Sequence, residues 1–286
     1  MLKKRILSAI VLLSIFLASF FLQNPTYFLL LVFIVSGILF YELGKILKLK
    51  GLSLIIYWIF SAAPIIFFYF IVIVNINFLD ESNQYLIKVF LTNFSIIISF
   101  ISAIFWLIIA PLDILYGKIS SNIKFKIFYG YFLVTPMVIV TSLVFLQNKN
   151  LLLMPFMMIW LADIGAYFVG KNFGQNKLAK NISPGKTIEG AVGGFLANIL
   201  FAFVLSQLYV EDFGFLFFFA VLVTALSIFG DIYQSFLKRR AKVKDSGVII
   251  PGHGGLLDRL DSFCPTLPLS YLLFMALNTY LTLQLI

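Results

Sequence analysis

The chain has one cysteine, Cys264, so it can form neither an intrachain disulfide nor a thiolate-built metal cluster. Charge is scarce too: 12% of the 286 residues are Asp, Glu, Lys or Arg, while 62% are hydrophobic. That balance excludes ordinary soluble usage, in which roughly a quarter of residues are charged. Acidic residues are the rarer sign, 12 against 21 Lys and Arg, for a net charge of +9. The excess does not mark a nucleic-acid binder, because the cations sit in short segments between apolar runs. A Walker A loop is missing: Pro184-Gly185-Lys186-Thr187 lacks the Gly-x-x-x-x-Gly-Lys-Ser/Thr spacing. No small-x-small cleavage site follows Lys3-Lys4-Arg5 and the apolar run from Ile6 to Leu22, so that run is expected to be a first transmembrane helix, not a signal peptide.

What the chain has in quantity is apolar runs of spanning length, which predict an all-α, polytopic membrane bundle. Hydropathy predicts nine spans, at about 6–23, 26–48, 52–78, 84–110, 127–147, 150–170, 188–210, 213–238 and 264–285. Pro64 is expected to tilt or kink the third span without dividing it. With the N-terminus in the cytoplasm and the C-terminus outside, 19 of the 21 Lys and Arg fall on the cytoplasmic side. Only Lys88 and Lys149 fall on or near the other side, which the acidic pairs Asp80-Glu81 and Glu211-Asp212 mark. Residues 1–150, the first five spans, read as scaffold; residues 151–286, the last four, carry the chemistry. Ser36, Glu42, Asn93 and Asp113 in the scaffold read as helix ends, interhelical hydrogen bonds or solvated positions.

The chemistry concentrates in residues 235–261, which gather six cations, three carboxylates, the only histidine and four glycines. Gly252, Gly254 and Gly255 flank His253, where backbone can adopt positive φ or lie against a ligand. Asp258 and Asp261 follow at i, i+3, on one face if helical. Cations, a glycine run and paired carboxylates suit metal-assisted phosphate chemistry. Two polar stripes lead toward this stretch. One is Asp163, Tyr167 and Lys171 at i, i+4, i+8; the other is Asp231, Gln234, Ser235 and Lys238. Ionisable groups at such depth mark functional sites. Between the stripes, residues 171–187 read as a loop, with Ser183 capping the seventh span, Pro184 in its first turn, and N–H groups left for an anion. Gly190, Gly193 and Gly194 allow close helix packing, as an internal seam or in a homodimer, and the sequence leaves both open.

The stretch resembles the signature of the CTP-dependent phosphatidate cytidylyltransferases. It carries Ser235, Lys238, Arg239, Lys244, Asp245, Gly247, Pro251, His253, Gly254, Gly255, Asp258, Arg259 and Asp261 at that signature's spacings. Asp163, Ala166-Tyr167, Gly170, Gly174, Lys177-Leu178, Ser183-Pro184, Lys186-Thr187 and Glu189-Gly190 resemble a second, less specific block of the same family.

The resemblance implies cytidylyl transfer from CTP to phosphatidate, giving CDP-diacylglycerol and pyrophosphate, in the cell membrane with the site on the cytoplasmic side. It implies Mg²⁺, with a second cation left open, on Asp231, Asp258 and Asp261. Lys186, Lys238, Arg239 and Arg259 are the phosphate candidates, and His253 would orient a phosphate or a carboxylate. Asp163, Tyr167, Lys177, Ser183, Thr187, Ser235, Lys244, Asp245, Gly254 and Gly255 complete the expected substrate contacts. Two other classes compete: a CTP-dependent lipid-alcohol kinase, at a similar membrane site, and a transporter. Against a transporter, the polar residues cluster at one face instead of the midplane, and no repeat is visible.

Overall fold

Apolar surroundings leave backbone N–H and C=O groups no partner but one another, so runs this apolar fold as helices. The computed structural model, which describes residues 2–78, 81–209, 212–250, 252 and 254–284, is accordingly a bundle of helices. In order these are α1 (Leu2–Phe21), α2 (Thr26–Leu47), α3 (Leu52–Phe78), α4 (Glu81–Ile104), α5 (Ala110–Tyr116), α6 (Ile123–Lys126), α7 (Tyr129–Leu133) and α8 (Thr135–Phe173). After a short hairpin come α9 (Ile188–Tyr209), α10 (Phe213–Ala241), α11 (Leu257–Leu260) and α12 (Phe263–Gln284). A π-helical turn, Phe105–Ile109, joins α4 to α5. Among the described residues, seven helical stretches are long and apolar enough to cross a membrane, and a shorter apolar helix covers Ile10–Phe21.

Pro64 lies inside α3, which stays one helix as expected. In α8 the backbone leaves helical geometry at Asn148 (φ −159°, ψ 97°), between the spans expected at 127–147 and 150–170. Local chemistry sets the helix ends. Lys48 closes α2 in the left-handed region, its N–H reaching Gly44 O and Lys45 O, and Lys242 closes α10 in the same way. Asp212 caps the start of α10 by accepting from Gly214 N–H.

The core is aromatic. Phe28 stacks on Phe145 with ring centroids 3.9 Å apart, and Trp106 and Phe105 pack edge-on against Tyr233. Asp113 is buried inside it, accepting from the Tyr129 and Tyr233 hydroxyls at 3.1 Å and from Ser120 N–H at 2.9 Å. The seam between α8 and α9 is built from small residues. A Cβ at Gly165 would lie 2.6 Å from Gly193 O, and one at Gly194 would lie 2.9 Å from Ala162 O. The glycine face of α9 is therefore spent inside the chain.

Residues 171–187 differ from the expected loop. Lys177–Ala179 (β1) and Ser183–Thr187 (β2) pair antiparallel, with Lys177 opposite Thr187, a small exception to an all-α fold. Ser183 is therefore not the cap of α9. Thr187 takes that position, its Oγ1 accepting from Gly190 N–H at 3.0 Å. Pro184 is tolerated because a two-stranded hairpin has only edges. Glu189 ties down the base, accepting from the N–H groups of Gln175 and Asn176 and from the Asn176 amide.

Candidate active site

One end of the bundle, where α8 stops, the hairpin turns back and α10 runs out, holds a cavity of about 410 Å³. Its walls are small: Ala162, Ala166, Gly170, Gly190 and Ala191 bring α8 and α9 together without filling the space. Asp163, Tyr167, Lys171, Lys186, Thr187 and Asp231 supply the polar lining. Lys186 reaches across from β2 to Asp231 on α10, Nζ to Oδ2 2.7 Å. Ser235, one turn later, donates to Asp231 Oδ1 at 3.2 Å. Tyr167 is 61% exposed, with Lys171 Nζ 5.8 Å from its ring centroid. The first polar stripe of the sequence thus lines the cleft, and the second enters it at Asp231.

Behind the cavity, the signature folds back onto α10. Gly230 lets this happen: a Cβ there would lie 2.7 Å from Asp261 O. Asp231, at the next position, therefore lies near the segment that carries Asp261. Its charge acts on Asp261 and on Asp163, and those of Lys186, Lys238 and Arg259 also act here. Asp261 is buried, with Oδ1 accepting from Ser262 N–H at 2.9 Å. Asp258 is more fully engaged than Asp231 or Asp261. Its Oδ1 holds Lys238 Nζ at 2.6 Å, and its Oδ2 accepts from Ser246 N–H at 2.8 Å and Gly255 N–H at 3.0 Å. Gly254 turns the chain there with φ +86°.

The remaining predicted residues lie outside the cavity lining. Arg239 joins two surface segments, donating to Ile182 O at the hairpin turn and to Val243 O. Lys177 lies exposed on β1, Ser183 begins β2, and Lys244 and Asp245 lie exposed in the segment after α10. Arg259 is exposed, within electrostatic reach of Asp163. His253 and Pro251 lie outside the described residues.

Sequence reasoning passed over one residue that holds this site together. Glu42 of α2 is 1% exposed and accepts from Ser246 Oγ at 2.8 Å, Leu256 N–H at 3.0 Å and Leu257 N–H at 2.8 Å. Two signature glycines make room for it. A Cβ at Gly247 would lie 2.5 Å from Glu42 Oε1, and one at Gly255 would strike both Ser246 Oγ and Glu42. The only signal in the sequence was a carboxylate near the end of an apolar run.

Among the described residues, no three His, Cys, Asp or Glu side chains converge closely enough to hold an ion by themselves. Mg²⁺ seldom needs that, since it is usually held by one or two carboxylates, waters and substrate phosphates. Asp231 and Asp261, brought together by the close packing at Gly230, suit that donor set.

A multi-pass helical membrane protein with a cleft of cations and carboxylates at one end has the equipment of an enzyme working on phosphate esters beside a bilayer. Comparison with known proteins narrows the class. The chain matches the model of the cytidylyltransferase family over residues 3–277. It is 34% identical over 298 residues to a phosphatidate cytidylyltransferase of Haemophilus influenzae, covering 97% of this chain and all of that one. It is 46% identical over 127 residues to a phosphatidate cytidylyltransferase of Staphylococcus haemolyticus, 43% of this chain and 48% of that one. The chain belongs to the cytidylyltransferase family.

Proposed function

We propose that the protein transfers the cytidylyl group of CTP to phosphatidate, releasing pyrophosphate and forming CDP-diacylglycerol. The observation that carries this reading is the cleft itself, where Lys186 pairs with Asp231 in the cavity and Lys238, two turns further along α10, pairs with Asp258 of the signature, in a chain of this family. A phosphate oxygen of the lipid attacks the α-phosphorus of CTP while the bond from that phosphorus to the bridging oxygen of the pyrophosphate breaks. Two anions must meet, so the residues have to supply positive charge more than a base. Lys186, reaching in from β2, and Lys238, two turns beyond Asp231 on the same face of α10, hold phosphate oxygens, and Asp231 and Asp258 hold those lysines in place. Tyr167, Thr187 and Asp163 shape the wall against which the nucleotide lies. Mg²⁺ on Asp231 and Asp261 would offset charge developing on the leaving pyrophosphate. Asp258, with both oxygens engaged, serves as the anchor of Lys238 in this reading.

The topology proposed with this function has nine spans. They are the seven long stretches, with Tyr129–Phe173 counted twice because of its break at Asn148, plus α1. The N-terminus and the cleft then face the cytoplasm, as the distribution of Lys and Arg favours.

The test is to incubate purified protein with phosphatidate, Mg²⁺ and CTP labelled at either the α- or the γ-phosphate. Label entering the lipid from the α-position alone is the expected result. Transfer from the γ-position would make the protein a kinase, and transfer from neither would refute both.

A further inference from the structure

The buried carboxylate of Glu42 has no task in the chemistry above, yet it is among the most heavily engaged in the molecule. It sits on α2, in the scaffold half, and its three donors come from Ser246, Leu256 and Leu257, more than 200 residues away in sequence. Those donors are the two ends of one segment. Ser246 opens it and Leu256–Leu257 close it, with the Ile250–Gly254 bridge folding the part between. Glu42 therefore fastens the segment at its neck. No cation is within ion-pairing distance of it among the described residues, so backbone N–H groups and one hydroxyl do the holding.

The neck is also where Asp258 is set. Ser246 gives its hydroxyl to Glu42 and its N–H to Asp258 Oδ2. Gly255, which also donates to Asp258, packs directly against Glu42. The chain of contacts thus runs from Glu42 through Ser246 and Gly255 to Asp258, and from there to Lys238 Nζ. Resting on the cytidylyl-transfer reading, we infer that Glu42 is a positioning residue for the reaction: it closes the neck of the signature segment so that Asp258 presents Lys238 to the phosphates. Glu42 itself touches no reacting atom.

Glu42→Gln is the informative variant, because it keeps the shape and one acceptor oxygen but replaces the other oxygen with a donor facing donors. The wild type, Glu42→Gln, Asp258→Asn and the double variant are to be compared with α-labelled CTP and phosphatidate. Thermal midpoints are recorded in detergent, together with the mobility of a spin label at Val248, which is 92% exposed on the fastened segment. Positioning predicts that Glu42→Gln lowers kcat about tenfold or more with a smaller change in the KM for phosphatidate. It also predicts a more mobile label and a thermal midpoint close to wild type. The double variant should be little worse than Asp258→Asn, since both act through Lys238. Unchanged kcat, or a loss that multiplies fully in the double variant, overturns the inference. So does a loss accompanied by a lower midpoint with an immobile label, which would make Glu42 a stabilising residue only. Wild-type protein that transfers no label would instead refute the functional reading; the spin label would still report whether Glu42 fastens the segment.

Discussion

Removing one partner of the Lys238–Asp258 pair is the sharpest perturbation the structure offers. Both side chains are only 10% exposed, with Nζ 2.6 Å from Oδ1, so water screens the pair little. In Asp258→Asn the amide must choose. Keeping its oxygen toward the Ser246 and Gly255 N–H groups turns its NH₂ toward the lysine ammonium, donor against donor. Stranding one member of a buried pair costs about 3–5 kcal/mol. That cost falls on folding; in turnover, a mispositioned Lys238 removes one preorganised electrostatic stabiliser, worth about 100- to 1000-fold. The assay is steady-state transfer of α-label from CTP into lipid by Asp258→Asn, Lys238→Met and the double variant, each over a Mg²⁺ series. The double variant should match the worse single, and the Mg²⁺ requirement should stay near that of wild type. A strongly raised Mg²⁺ requirement in Asp258→Asn alone would refute the reasoning, for Asp258 would then be a metal ligand and not an anchor.

Lys186→Ala should raise the KM for CTP and lower turnover, with only partial rescue by Lys186→Arg, whose planar fork fits the 2.7 Å contact with Asp231 differently; unchanged kinetics would reduce Lys186 to a surface cation. Gly193→Ala should destabilise the protein by about 1–3 kcal/mol, because the new methyl would lie 2.5 Å from Val169 Cβ and 2.7 Å from Gly165 O; the thermal midpoint in detergent measures it. Single cysteines at Asn172 and Asn150, in a Cys264→Ser background, should differ in labelling by an impermeant maleimide on intact cells. Equal labelling would overturn the nine-span topology.

The helices were legible because each rests on a local property, a run of apolar residues long enough to span. Even the break at Asn148 could be placed, since polar residues separate the apolar runs on either side of it. The hairpin was not legible. Its strands are three and five residues long, one contains Pro184, and neither alternates apolar with polar side chains. What makes them strands is their mutual pairing and the Glu189 tie at their base, neither of which a window of sequence reveals. The site shows the same division. Asp231, Lys186, Lys238 and Asp258 were identifiable as ionisable groups in an apolar chain, but their pairing was not, because it depends on β2 and the signature segment both folding back onto α10. Glu42 looked like any polar residue near a helix end, its partners being 204 to 215 positions away.

That separation matters for how the protein is made. At about 5–20 residues per second, the ribosome needs roughly 10 to 40 s to travel from Glu42 to Ser246, 204 residues on. Throughout that interval α2 must lie in the bilayer with a carboxylate whose eventual partners do not yet exist. A charged group at the centre of a bilayer costs a translocon-inserted helix about 2.5–3.5 kcal/mol. Glu42 lies instead five residues before Leu47, the last of α2, where headgroup water can serve it while the rest of the chain emerges. The end-of-helix position that made Glu42 look ordinary is then what lets α2 wait, and α10 to α12 arrive at a partner already installed.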